Sequence, residues 1–186
     1  MTKIVKAKSI YGKTLIFKAV TTDHAEFILK IRTDSSKSKH LTATTDSLND
    51  QINWINNYHA KKDQAYFIIF FEDNPIGTVR IYDPIGDSFC WGSWILINGA
   101  PFHAAIESAL IVYSYALNHL NFNQSHFDVR KGNIKVRQFH ERFGAKVINE
   151  DGDNYYYSID KEKIDLSFKK YKKFLDEKIK VELYDK

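Results

Sequence analysis

"SFCWGSWILINGAPFHAAIESALIVYSYALNHL", Ser88 to Leu120, is the stretch on which the reading of this chain turns. Its aromatic first part, with Trp91 and Trp94, suits a strand. Asn98-Gly99-Ala100-Pro101 interrupts it, and a long apolar helix is expected over residues 101–120. No Asp, Glu, Lys or Arg lies between Asp87 and Glu107. A helix entered from a bare loop of small residues has two explanations. Ala104 and Ala105 let it pack closely on a sheet, or the unpaired N–H groups and positive dipole of its first turn receive an anion such as phosphate. Pro101 fits a first turn, where no N–H is needed. The residues alone leave both explanations open.

Working outward, the flanking segments alternate between strand and helix patterns. "KTLIFKAV" (Lys13 to Val20) reads as a strand, and "TTDHAEFILKIRTD" as a helix capped by Thr22 or Asp23, with Phe27, Ile28 and Ile31 on one face. Ser35 to Thr45 is polar and reads as a loop, and "LNDQINWINNYHAKK" as a second helix aligning Leu48, Ile52 and Ile55. "QAYFIIFF" and "GTVRIYD" form an antiparallel meander with the Trp-rich strand. In the long helix Ile106, Leu110, Tyr113, Leu117 and Leu120 share one stripe. "SHFDVRK" reads as a strand, "NIKVRQFHERF" as a helix stopped by Gly144, and residues 145–159 as a hairpin turned at Asp151-Gly152-Asp153. The expected fold class is α/β with a mixed sheet. One domain is expected over residues 1–186, with its core at about 13–160 and an amphipathic, lysine-rich helix at 161–180.

Composition narrows the function classes. The chain has 186 residues, is 44% hydrophobic and carries a mild net charge of +4. Its single cysteine excludes an internal disulfide, and the start lacks an apolar leader, so a cytoplasmic location is expected. No segment has the length and apolarity of a membrane span. Lys161 to Lys180 contains no Arg, the usual base reader, which argues against a nucleic-acid helix. The seven histidines and Cys90 show no metal-ligand spacing, and no metal is expected. Glycine-rich dinucleotide and phosphate motifs, HExxH and GxSxG are all absent.

The order of elements resembles the GCN5-related N-acetyltransferase (GNAT) family over roughly Leu15 to Ile159. The likeness is nearest to the branch of ribosomal-protein N-terminal and nucleotide-amino-sugar acetyltransferases. That branch has a "GYWL" strand, a Gln/Arg-x-x-Gly-x-Gly/Ala loop, a helix beginning near "ATEAL" and a later "N…EKLGF" motif. Here "WGSWIL" holds the strand position, Glu107 falls on the helix glutamate, and "NIKVRQFHERFGA" matches the second motif through Asn133 and Gly144. The loop departs from the pattern at Ala100, Pro101 and His103.

The resemblance implies a mostly antiparallel central sheet with two splayed strands, flanked by helices. It also implies that acetyl-CoA lies between those strands. Its pantetheine would pair with Ser93, Trp94 and Ile95, and its pyrophosphate would sit on Pro101, Phe102, His103, Ala104 and Ala105, with Asn133 nearby. Gly92 is expected to form a bulge that opens the strands. Direct attack by a primary amine needs an acid for the departing thiolate and a base for the amine proton. The family's tyrosine position is His140 here, so a protonated His140 is the expected acid, with a core histidine on the apolar face of its helix as the alternative. Asp87, Glu107 and Asp128 are the candidate bases, Asp128 having the alternative of a structural ion pair with Arg130.

The acceptor is expected against residues 35–45, Trp54, Trp91 and Trp94, with Arg32, Lys39 or Arg80 available for phosphates. This suits a small amine, in particular an amino sugar or nucleotide-linked amino sugar, transferred by a monomer or homodimer. Acetylation of protein N-termini is the alternative reaction, and a non-catalytic CoA-binding module is the alternative class.

Overall fold

In the computed structural model the described residues are 2–40, 43–176 and 178–185. The chain opens with a hairpin, β1 (Ala7–Tyr11) and β2 (Leu15–Ala19), followed by α1 (Ala25–Thr33), a single turn α2 (Ser35–Ser38) and α3 (Leu48–Ala60). The meander is β3 (Ala65–Phe71), β4 (Asn74–Ile85) and β5 (Ser88–Leu96). Then come α4 (Ala104–Asn118), β6 (Gln124–Arg130), α5 (Ile134–Arg142), the hairpin β7 (Lys146–Glu150) and β8 (Asn154–Asp160), α6 (Lys161–Lys170) and β9 (Lys180–Leu183). Nine strands form one sheet in the order β7-β8-β6-β5-β4-β3-β2-β1-β9. Every neighbouring pair is antiparallel except β5 and β6.

Strand periodicity explains the layers. On β3, Ala65, Phe67 and Ile69 enter the main core with α4, while Tyr66 and Ile68 enter a second core with Ile28 of α1 and Ile55 of α3. Burial on both faces is why "AYFIIFF" reads as an unbroken apolar run. Helix α4 is likewise covered all round: twelve of its fifteen residues are buried, so its expected single apolar stripe is too narrow a description. Hairpin turns follow their φ demands. Glu72 and Asp73 adopt φ 47° and 61° between β3 and β4, and Gly86 adopts φ 62° between β4 and β5.

Two sequence expectations are corrected at the ends. The helix expected over 161–180 stops at Lys170, and β9 occupies Lys180–Leu183. The reason is apolar: the Tyr171 ring stacks on Phe143 at 5.0 Å, and Leu175 and Ile179 are buried in the main core, which a straight surface helix would not reach. The first strand was also not expected. β1 pairs with both β2 and β9, so the sheet extends beyond the core expected from residue 13 onward. No helix among the described residues is long and apolar enough to cross a membrane.

Candidate active site

The site begins where the one parallel pair comes apart. β5 and β6 are in register only at Ser88↔Gln124 and Phe89↔Ser125. Side chains sew this short seam closed. The Ser125 hydroxyl donates to the Phe89 carbonyl at 2.9 Å, and Gln124 Nε2 donates to Asp87 Oδ1 at 2.8 Å. Ser88 Oγ lies 2.7 Å from His126 Nδ1, whose Nε2 lies 3.3 Å from Asp83 Oδ2. Asp87 is therefore a structural staple at the far end of β5, and its hydrogen bonds hold its carboxyl below the usual range. That removes it from the candidate bases.

Past Cys90 the strands diverge, and a bulge in β5 drives the opening. Thr78 pairs with Ile95 and Arg80 with Gly92, so Ser93 and Trp94 together oppose Val79 alone. Ser93 takes the left-handed conformation (φ 47°), and the Thr78 hydroxyl donates to its carbonyl at 2.7 Å, fixing the kink. The bulge was expected at Gly92; it falls on the next two residues. Gly92 has a different duty: a Cβ there would lie 2.9 Å from the Tyr82 hydroxyl.

A cleft of about 330 Å³ fills the gap, with Trp91 and Trp94 on one wall, Phe127 and Val129 on the other, and Asn133, Val136 and His140 from α5. Asn133 is the N-cap of α5 but makes no side-chain capping bond, so its amide is uncommitted at the cleft. Trp94 packs on Phe139 at 4.9 Å and donates from Nε1 to Ser108 Oγ at 3.1 Å. A second cavity, of about 550 Å³, is lined by Arg32, Trp54, Tyr66, Arg80 and Tyr82. Cleft and cavity share His40, Trp91, Gly92, Ser93 and Asp128. Two spaces thus meet at the kinked strand, one able to hold a linear ligand along an open strand edge and one a ring-bearing ligand among aromatics.

His140 sits inside a ring of aromatic neighbours. Its ring centroid is 4.2 Å from Phe127, 5.2 Å from Trp91 and 5.8 Å from Phe139. Its Nδ1 is buried without a hydrogen-bond partner among the described residues. Burial pushes the imidazole down to about 3, so the ring is neutral at neutral pH. The expectation of a stored proton on His140 is corrected on that ground. Burial also pushes the Cys90 thiol up to about 12, which makes it an unreactive neighbour.

Asp128 stands exposed on β6, on the wall common to both spaces, and forms no ion pair with Arg130 among the described residues. Glu107, the third candidate base, is fully buried in α4. Its carboxylate accepts from Thr14 N (2.6 Å), Leu15 N (2.9 Å) and the Thr14 hydroxyl (2.6 Å). It pins the β1–β2 turn to the start of α4 and is committed to structure.

The loop that raised the first question is partly occupied by the protein itself. α4 starts at Ala104, with His103 as an N-cap that makes no side-chain capping bond. His103 Nε2 instead meets Thr14 Oγ1 at 2.8 Å, Ala104 is fully buried, and Phe102 is 89% exposed. Pro101, Phe102, His103, Ala104 and Ala105 line neither space, while Ser93, Trp94, Asn133, Asp128 and His140 all do. Ile95 is buried against β4, paired with Thr78. Ala43, Thr44 and Thr45 border the larger cavity as expected of the 35–45 segment; Leu41 and Thr42 lie outside the described residues. Lys39 does not line that cavity. His40 belongs to the expected 35–45 segment, whereas Gln64 and the Arg80–Tyr82 contact were not singled out by the sequence: Gln64 reaches Arg80 because β3 and β4 pair, and Arg80 and Tyr82 share one face of β4.

The chain matches the profile of the acetyltransferase (GNAT) domain over residues 14–146. It belongs to the GNAT family of acetyltransferases. This GNAT protein is an acyltransferase. Among solved structures it is similar to apo FdhC, described as a nucleotide-linked sugar GNAT, with 40% identity, TM-score 0.79, and coverage of 94% of this chain and 99% of that one. A probable GNAT acetyltransferase from Chromobacterium violaceum (14% identity, TM-score 0.76, covering 89% and 92%) shares the fold. So does a spermidine N-acetyltransferase from Vibrio cholerae (15% identity, TM-score 0.68, covering 81% and 96%). A search of the curated proteins gives no match.

Proposed function

We propose that this GNAT protein transfers an acetyl group from acetyl-CoA to the primary amine of an amino sugar, free or nucleotide-linked, in the cytoplasm. The observation that carries the reading is the meeting of cleft and cavity at Gly92, Ser93 and Asp128. The residues present fit the donor: a strand edge left open beyond Phe89, an uncommitted Asn133 amide, and an unpartnered His140 nitrogen. Acetyl-CoA supplies the activated acyl group. The Ser93–Trp94 bulge positions the thioester carbonyl for attack from the cavity side. The amine forms the new C–N bond as the C–S bond breaks, and Asp128 accepts the proton the amine loses. His140, being neutral, acts as a hydrogen-bonding partner at the departing sulfur, and solvent supplies the thiol proton after release. The 40% identity to a nucleotide-linked sugar GNAT and the arginines lining the cavity support a sugar-derived acceptor over a polyamine.

Thermal unfolding with and without acetyl-CoA tests the reading, with ATP as phosphate control. A hundredfold excess over Kd adds about 2.7 kcal/mol to the folded state, a rise of roughly 5–11 °C for a domain of this size. A larger shift with acetyl-CoA than with ATP is expected, followed by CoA release when amino sugars are supplied. Equal response to both ligands would sink the proposal.

A further inference from the structure

One donor in the larger cavity has no acceptor. Arg80 projects from β4 with its guanidinium carbon 4.3 Å from the Tyr82 ring centroid and 5.6 Å from that of Trp54. Its Nη1 donates to Gln64 Oε1 at 3.1 Å, and Gln64 is itself buried. Its Nε is buried with no hydrogen-bond partner among the described residues. An arginine does not shed its proton, and a buried, unmet N–H costs free energy unless an acceptor arrives. The aromatic contacts and Gln64 fix the guanidinium in place, which is the condition for reading a planar or tetrahedral oxyanion through paired N–H groups. Arg32 lines the same cavity, its Nε donating to Thr44 Oγ1 at 2.8 Å. At about 550 Å³ the space suits a ligand well beyond one sugar ring.

We infer that the acceptor cavity contains a diphosphate subsite centred on Arg80, which selects an amino sugar linked to a nucleoside diphosphate over the free sugar. This rests on the acyltransferase reading for the amine but not for the subsite. Arg80 is the specificity-determining residue, and Gln64 is the residue that positions it.

The test is calorimetric titration of the full chain with UDP and with dTDP in the presence of excess CoA, so that the donor cleft is closed to nucleotides. Uridine and thymidine serve as phosphate-free controls. At least one diphosphate is expected to bind, with its nucleoside at least tenfold weaker. Arg80→Gln should weaken that binding tenfold or more and leave acetyl-CoA affinity unchanged, and Arg80→Lys, which keeps charge without the fork, should fall between. If Arg80→Gln does not fold, Gln64→Leu replaces it, with a several-fold loss expected. The inference fails if neither diphosphate binds, or if the variant binds as the wild type does. Acetyl-CoA binding by the same samples separates the two proposals: CoA binding without diphosphate binding overturns the subsite alone. Arg80-dependent diphosphate binding without CoA binding upholds the subsite and overturns the acetyl-transfer reading.

Discussion

The two ends of the β5–β6 pair are made of different chemistry. At Ser88–Phe89 small polar side chains bridge the strands and the pair is closed. A few residues on, from Trp91 to Trp94 opposite Phe127 to Arg130, the strands part around aromatic rings. Parallel strands bond slightly less strongly per residue than antiparallel ones, so this pair is the least costly place in the sheet to open. The Ser93–Trp94 bulge kinks β5 there, and Trp91, Trp94 and Phe127 line the gap. The cleft is thus a consequence of local packing, with the closed end acting as its hinge point.

The largest effect on this contrast should come from Gly77. A Cβ there would lie 2.3 Å from the Ile95 carbonyl oxygen, on backbone that cannot move without undoing the bulge. Gly77→Ala is expected to cost about 3 kcal/mol, at the upper end for overpacking, and denaturant midpoints would register it. An unchanged midpoint would mean that β4 and β5 are not held together as described above the bulge.

Removing the carboxylate where the two spaces meet should act on rate alone. Asp128→Asn is expected to lower kcat about 100-fold, a typical general-base contribution, with little change in melting temperature because the residue is exposed. Retention of full kcat would assign the proton to another group.

His140 separates the open end from the closed end by pH. Its folded-state pKa is lowered to about 3, against about 6.5 unfolded, so its contribution is complete above pH 6.5 and is lost as pH falls toward 3. Between pH 6.5 and 5 that loss amounts to about 2 kcal/mol, at 1.36 kcal/mol per pH unit. His140→Leu should be free of it, so its stability relative to wild type should improve on acidification. Parallel melting curves for the two proteins across this range would contradict a buried neutral ring.

The smallest change is at the seam. Ser88→Ala removes one hydrogen bond to His126 and is expected to cost about 1 kcal/mol, with a modest rise in KM for acetyl-CoA as the hinge point loosens. A loss as large as that of Gly77→Ala would show the seam to be the principal support of the cleft.

Much of this was legible in the chain. The meander, the α4 segment, the "NIKVRQFHERFGA" helix and the Asp151-Gly152-Asp153 turn each carry a periodicity or turn signal that acts within a few residues. Ser93, Trp94, Asn133 and His140 could be named because a motif places them, Asp128 because it is a nearby carboxylate, and all five line the cleft. Local signals failed where a partner lies far off in sequence. β1 and β9 are short and marginal alone, and they become strands because Ile10 and Val181 pair across 171 residues of chain. Glu107 could be offered as a base because nothing nearby in sequence shows that Thr14 and Leu15 occupy its carboxylate.

What the sequence by itself determined is therefore the kind and order of elements, and through the motif-bearing residues the family. The tertiary structure decided which titratable groups remain available. Glu107 and Asp87 are both carboxylates in the right neighbourhood, yet one is spent on backbone donors and the other on a seam. His140 is kept neutral by burial among aromatic rings from β5, β6 and α5. Burial and hydrogen bonding set protonation and reach, and both depend on residues that meet only when the sheet has closed around them.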